Sequence, residues 1–148
     1  MKRILVIENI ASLLDNISEI LEMENYYVLK ACHATEGYEL ACRDNPDVII
    51  SAINIGEMNG TELFKVLRAN RKTRNIPFIF ITTCVQKREV EYGLSLKPYA
   101  YIAKPFSYET LLSVTANAVR KRRKQRGDFY REFDGIHSMI QCVATSLI

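Results

Sequence analysis

Residues 46–60 read Pro46-Asp47-Val48-Ile49-Ile50-Ser51-Ala52-Ile53-Asn54-Ile55-Gly56-Glu57-Met58-Asn59-Gly60. Proline cannot donate to a central ladder, so a strand here begins after Pro46. Val48, Ile49 and Ile50 make a continuous apolar run, the pattern of a parallel strand covered on both faces. Asn59-Gly60 is turn chemistry, and Thr61 is expected to cap the helix that follows. In open α/β sheets ligands bind beyond the carboxyl ends of the strands, so a reactive residue is expected near positions 51–54. Ala52 stands there, and its side chain is a methyl group.

Working outward, the same alternation recurs. Ile4–Ile7 is a short apolar strand closed by Glu8-Asn9. Leu13, Leu14, Ile17, Ile20 and Leu21 then recur at helical spacing. Tyr26–Lys30 reads as a second strand. Ala34–Arg43 reads as a helix with Ala34, Tyr38 and Ala41 inward. Thr61–Ala69 is a helix with Leu63, Phe64 and Leu67 inward. Phe78–Thr83 is rich in strand formers. A more charged helix is expected over Gln86–Leu96 and a fifth strand over Tyr99–Ala103. Lys104-Pro105-Phe106 turns the chain, and Ser107 is positioned to cap a last helix ending near Arg123.

Five strands alternating with five helices predict a doubly wound α/β fold, flavodoxin-like, with right-handed crossovers and strand order 2-1-3-4-5. That order gathers Glu8, Asn9, Ala52, Thr82 and Lys104 at one edge of the sheet. The domain is expected to span residues 1–123, with a basic linker and an extra C-terminal amphipathic helix over 124–148.

Composition bounds the function. The chain has 148 residues, 48% apolar and 25% charged, which suits one ordinary globular domain. No apolar window is long enough to span a bilayer, and Glu8 interrupts the first apolar run too early for a signal peptide. A cytoplasmic chain without membrane attachment is the expectation. Cys32, Cys42, Cys84 and Cys142 show no short paired spacing, so neither a metal site nor a redox pair is expected, and reduced, partly buried thiols are. His33 is read as a surface loop residue. No cofactor is expected either, since no glycine-rich phosphate loop is present.

The net charge of +3 conceals an uneven distribution. Arg120, Lys121, Arg122, Arg123, Lys124 and Arg126 crowd into seven residues, and the rest of the chain is net acidic. A solvated helix end is the simpler reading, because the helix dipole favours cations there. Contact with nucleic acid or an acidic membrane is the sharper one, and the lack of a recognition helix or stacking platform argues against it. Beyond Gly127, Phe129, Phe133, Ile136, Ile140, Val143 and Leu147 follow at spacings of four and three, a short heptad seam. Such a helix needs a partner surface. It either folds back on its own domain or pairs with a second chain, and self-association is the preferred reading.

These residues and spacings resemble the receiver domain of two-component response regulators over about residues 2–123. The likeness lies in the acid slot after the first strand, the slot eight residues before Gly60, Thr82 with Lys104-Pro105-Phe106 beginning 22 residues later, and aromatic Tyr101 three before Lys104. The resemblance implies a phosphoacceptor aspartate at position 52, a metal-binding acid at position 9, and a switch pair at Thr82 and Tyr101. The chain departs from it where the chemistry is done. Ala52 has no nucleophilic atom, and Asn9 replaces the second acid. Phosphoryl transfer to a carboxylate needs both the nucleophile and a hard cation held by carboxylates. The chain therefore reads as a degenerate receiver, with no phosphoacceptor, no catalytic residue and no metal. Lys104, freed from a phosphoryl partner, is expected to pair with Glu8 across the pocket. Thr82 and Thr83 read equally as strand-end threonines, and Tyr101 as a packing residue.

The resemblance also implies an interaction face of the fourth helix, fifth strand and fifth helix. Val90, Leu94, Tyr99, Tyr101, Tyr108 and Leu112 are its candidates. The expected partner is a protein, a sensor kinase or another signalling protein. Two alternatives stand: a receiver phosphorylated on another residue, and a small-ligand module using the emptied pocket.

Overall fold

The computed structural model describes residues 1–125 apart from 57, 84 and 85. The predicted C-terminal seam, from Phe129 to Leu147, lies outside the described residues, as does any self-association through it. Ten elements alternate: β1 (Arg3–Ile7), α1 (Ala11–Met23), β2 (Tyr27–Ala31), α2 (Ala34–Asp44), β3 (Val48–Ala52), α3 (Gly60–Ala69), β4 (Phe78–Thr82), α4 (Lys87–Ser95), β5 (Ala100–Ala103) and α5 (Tyr108–Gln125). The five strands form one parallel sheet in the order β2-β1-β3-β4-β5. Fold class and strand order are those read from the sequence.

Each face of the sheet has its own core, because side chains alternate along a strand. Ile4, Val6, Ile50 and Ile79 pack on one face with Leu14, Ile17 and Leu21 of α1 and Leu111, Val114 and Ala118 of α5. Leu5, Ile7, Ile49, Phe78 and Phe80 pack on the other with Ala34 and Ala41 of α2 and Leu63, Phe64 and Leu67 of α3. Every residue of β3 and β4 is buried, as central strands covered on both sides must be. Phe64, Phe78 and Phe80 form an aromatic cluster with ring centroids 5.0–5.5 Å apart. Asp47 ties the start of β3 to β1: its Oδ2 accepts the Arg3 N–H at 2.8 Å.

The structure corrects several local expectations. The α3 cap is Asn59, whose Oδ1 accepts the Thr61 N–H at 2.7 Å, so the helix starts one residue earlier than Thr61 suggests. Gly60 is needed at that start. A Cβ there would lie 2.3 Å from the Ala52 carbonyl oxygen, and the Gly60 N–H donates to Ile53 O at 2.7 Å. His33 is the α2 cap rather than a free loop residue. Cys32 is exposed rather than partly buried. The basic stretch is largely helical, since α5 runs to Gln125. Arg122 within it is buried and donates to Asn45 Oδ1 at 2.9 Å, so the stretch is not simply a solvated helix end.

Candidate functional site

Strand register builds the site. Ile7 pairs with Ser51, so Glu8 and Ala52 follow side by side at the carboxyl ends of β1 and β3. Ala52 pairs with Ile81 and Thr82 with Ala103, which brings Thr82 and Lys104 to the same edge. The Lys104 N–H donates to Thr82 O at 2.8 Å and anchors the loop after β5. The Lys104–Pro105 peptide is cis.

Across this edge Lys104 Nζ donates to Glu8 Oε1 at 2.8 Å. The Glu8 side chain is only 3% exposed and the Lys104 side chain 15%. Glu8 Oε2 accepts the Asn9 N–H at 3.1 Å. Both carboxylate oxygens thus have donors, as a buried charge requires. The pair expected from the sequence is present. Asn9 is exposed, and Ala52 is 6% exposed. Of Glu8, Asn9, Ala52, Thr82 and Lys104, Glu8 is the one carboxylate, and the Lys104 ammonium holds it. Mg²⁺ wants near-octahedral oxygen ligands, usually with one or two carboxylates and several waters. The donor set here is an amide, a methyl and an engaged carboxylate, and it does not fit that ion.

Thr82 is buried and Thr83 exposed. Tyr101 is fully buried, with its ring centroid 6.2 Å from that of Phe80. Gly93 of α4 makes room for it, because a Cβ at position 93 would meet the Tyr101 ring at 2.6 Å. The expected interaction face is only partly a surface. Val90, Tyr99 and Tyr101 are buried, which removes them from contact in this conformation. Tyr99 belongs to one core and Tyr101 to the other, a fact that residue type alone does not reveal. Leu94 and Leu112 are half-buried, and Tyr108 is 66% exposed. Tyr108 and Leu112 open instead onto a groove of about 690 Å³ against α1, lined also by Leu13, Ile20, Met23 and Phe106. Sequence reading missed this groove. Its signal was the width of the α1 apolar stripe, five residues where three suffice to reach the core.

Two basic side chains, one on α3 and one on α5, lie against aromatic rings. The Arg68 guanidinium lies 4.7 Å over the Phe64 ring, and the Lys121 ammonium lies 5.4 Å from the Tyr99 ring centroid. Burial lowers the pKa of Arg68. Lys121, exposed over much of its length, is lowered too, first by partial burial of its ammonium and then by the charge of Arg68.

A doubly wound parallel sheet with a lysine and a threonine converging on an acid slot between its first and third strands defines the class of a signalling receiver. The profile of the response regulator receiver domain matches residues 4–116, and the chain belongs to that family. It is 33% identical over 119 residues to the protein PilH of Pseudomonas aeruginosa, covering 80% of this chain and 98% of PilH. It is 35% identical over 111 residues to the chemotaxis protein CheY1 of Helicobacter pylori, covering 74% and 90% respectively. Against the transcriptional regulator RpaA of Synechocystis the identity is 29%, and the chain spans 50% of that protein. Among solved structures, a CheY-like receiver domain from Methanospirillum hungatei superposes with a TM-score of 0.77 at 27% identity, over 84% of this chain and 98% of that one. CheY4 of Vibrio cholerae superposes with a TM-score of 0.73 at 27% identity, over 80% and 98%. Among the described residues, no helix is long and apolar enough to cross a membrane.

Proposed function

We propose that this chain is a pseudo-receiver: a receiver-fold module that takes no phosphoryl group at the usual position and signals by protein–protein contact. One observation carries the reading. A buried methyl, Ala52, stands at the acceptor slot, and the neighbouring acid Glu8 is held by Lys104 at 2.8 Å. An acyl phosphate needs a carboxylate oxygen to attack, and an alkyl carbon has no lone pair. The ion pair further places an ammonium where the phosphoryl charge would otherwise recruit it. Nothing in this arrangement performs catalysis, so the module acts by shape. Its partner is a sensor kinase or another signalling protein, and its contacts centre on Tyr108, Leu94 and Leu112, the members of the expected face that retain exposure. The C-terminal seam supports self-association in addition.

The decisive experiment is incubation with acetyl phosphate and Mg²⁺, followed by intact-mass measurement and hydroxylamine treatment. The expected result is an unchanged mass. A hydroxylamine-labile gain of one phosphate overturns the reading, and a stable gain identifies phosphorylation on another residue. Light scattering on the chain with and without residues 127–148 tests the dimer, which the truncation is expected to abolish.

A further inference from the structure

At the far end of the same sheet edge, β2 finishes at Ala31, and a thiol and an imidazole follow in succession. Cys32 and His33 are exposed, and Glu36 is half-buried in the first turn of α2. His33 Nδ1 accepts the Glu36 N–H at 3.3 Å, while Glu36 Oε1 accepts the Cys32 N–H at 3.3 Å. This is a reciprocal cap of the capping-box kind, with histidine in the place of serine or threonine. It commits one polar atom of each side chain to the backbone. The remaining pair, His33 Nε2 and Glu36 Oε2, stand 3.9 Å apart. One ligand atom from each of Cys32, His33 and Glu36 lies within 4.8 Å of the others.

We propose that Cys32, His33 and Glu36 form a binding site for a borderline-soft divalent transition-metal ion of the zinc type, with water completing four-coordination. The donor set decides the ion. Sulfur, nitrogen and oxygen together suit Zn²⁺, whereas Mg²⁺ and Ca²⁺ take oxygen ligands. Bonds of about 2.0–2.3 Å at tetrahedral angles put ligand atoms roughly 3.3–3.7 Å apart. The 3.9 Å pair is nearly there, and an exposed thiol can rotate through the remaining distance.

The proton count closes. With Nδ1 accepting an N–H, the neutral ring carries its proton on Nε2. Ligation through Nε2 shifts that proton to Nδ1 and releases the His33 cap bond. The carboxylate gives up no proton, and the thiol gives up one, so one proton leaves for each ion bound. The Glu36 bond to the Cys32 N–H holds the turn meanwhile. The Ala31 carbonyl accepts the Glu8 N–H at 3.0 Å, so the site begins one residue from the backbone that carries the degenerate pocket.

The test is zinc titration of the untagged full chain under reducing conditions by calorimetry, with cobalt as a spectroscopic stand-in. Three variants remove the donors while sparing the turn: C32S, H33N, which retains a good capping side chain, and E36Q, which retains the acceptor oxygen. A fourth, C42S/C84S/C142S, leaves Cys32 as the sole thiol. The expected result is one ion per parent chain and a cobalt–thiolate charge-transfer band, both retained in the fourth variant. C32S should lose the band, and C32S and H33N should each weaken binding more than about tenfold. Parent-like binding or a surviving band in C32S overturns the site, as does the absence of binding by the parent. If the triple variant loses binding, the single C42S, C84S and C142S variants are titrated instead. Loss in a folded one of these assigns the ion to another thiol and overturns the site.

Discussion

Two groups of donor atoms sit on one sheet edge, at the ends of β1 and β2, and they have opposite characters. At β1, Glu8 is buried, and both of its oxygens are occupied by Lys104 and a backbone N–H. At β2, the side chains of Cys32 and His33 face solvent, with Glu36 beside them. A sheet edge confers no chemistry by itself. The register delivers residues to the edge, but what the edge can bind depends on how many donors arrive unengaged. In the pocket, Asn9 and Ala52 offer no carboxylate, and Glu8 is engaged by Lys104.

The sharpest way to break this contrast is to return the missing donors. A chain carrying N9D and A52D regains both carboxylates at positions that the register already brings together. It is expected to go from no acetyl-phosphate labelling to a hydroxylamine-labile phosphate in Mg²⁺, read by intact mass. If it stays inert, the loss of acids alone does not account for the silent pocket.

The next effect is on stability. K104M strands the buried Glu8 carboxylate, and breaking a buried ion pair on one side costs about 3–5 kcal/mol. Urea unfolding should show that loss, and the double variant E8M/K104M should recover most of it. A loss as large in the double variant would place the damage in packing rather than in charge. A smaller effect is expected at α4. G93A pushes on the Tyr101 ring, and overpacking costs about 1–3 kcal/mol against roughly 1 kcal/mol of helix propensity gained. The ring's displacement is read from its NMR shifts, and an unmoved ring with raised stability would show that α4 yields instead. The smallest effect belongs to the β2 corner. C32S, at an exposed position, should change stability by less than about 0.5 kcal/mol, measured by urea unfolding without added metal.

Much of the site was legible because parallel register is set by apolar patterning. Once Ile4–Ile7 and Val48–Ile50 are strands, Glu8 and Ala52 must emerge together, and Lys104 must meet them after the fifth strand. The Glu8–Lys104 pair was expected from the opposite charges once the receiver resemblance had put both residues in one pocket. The interaction face was less legible. Tyr99 and Tyr101 look like contact aromatics in a list of residues, yet the packing of α4 and the space left by Gly93 turn Tyr101 inward. Arg122 looked like one of a row of solvated charges, but Asn45, 77 positions away, accepts its hydrogen bond and lets it be buried.

The alternation of strands and helices and the methyl group at position 52 were legible in the amino-acid sequence. These depend on local periodicity and on the identity of single side chains, whereas the strand order was expected from the general pattern of doubly wound sheets. Only the tertiary structure decided which polar groups are engaged and which are open. Burial and hydrogen bonding at Glu8 and Arg122 are settled between residues far apart in the chain, whereas Cys32, His33 and Glu36 converge locally, through the backbone conformation of the α2 cap.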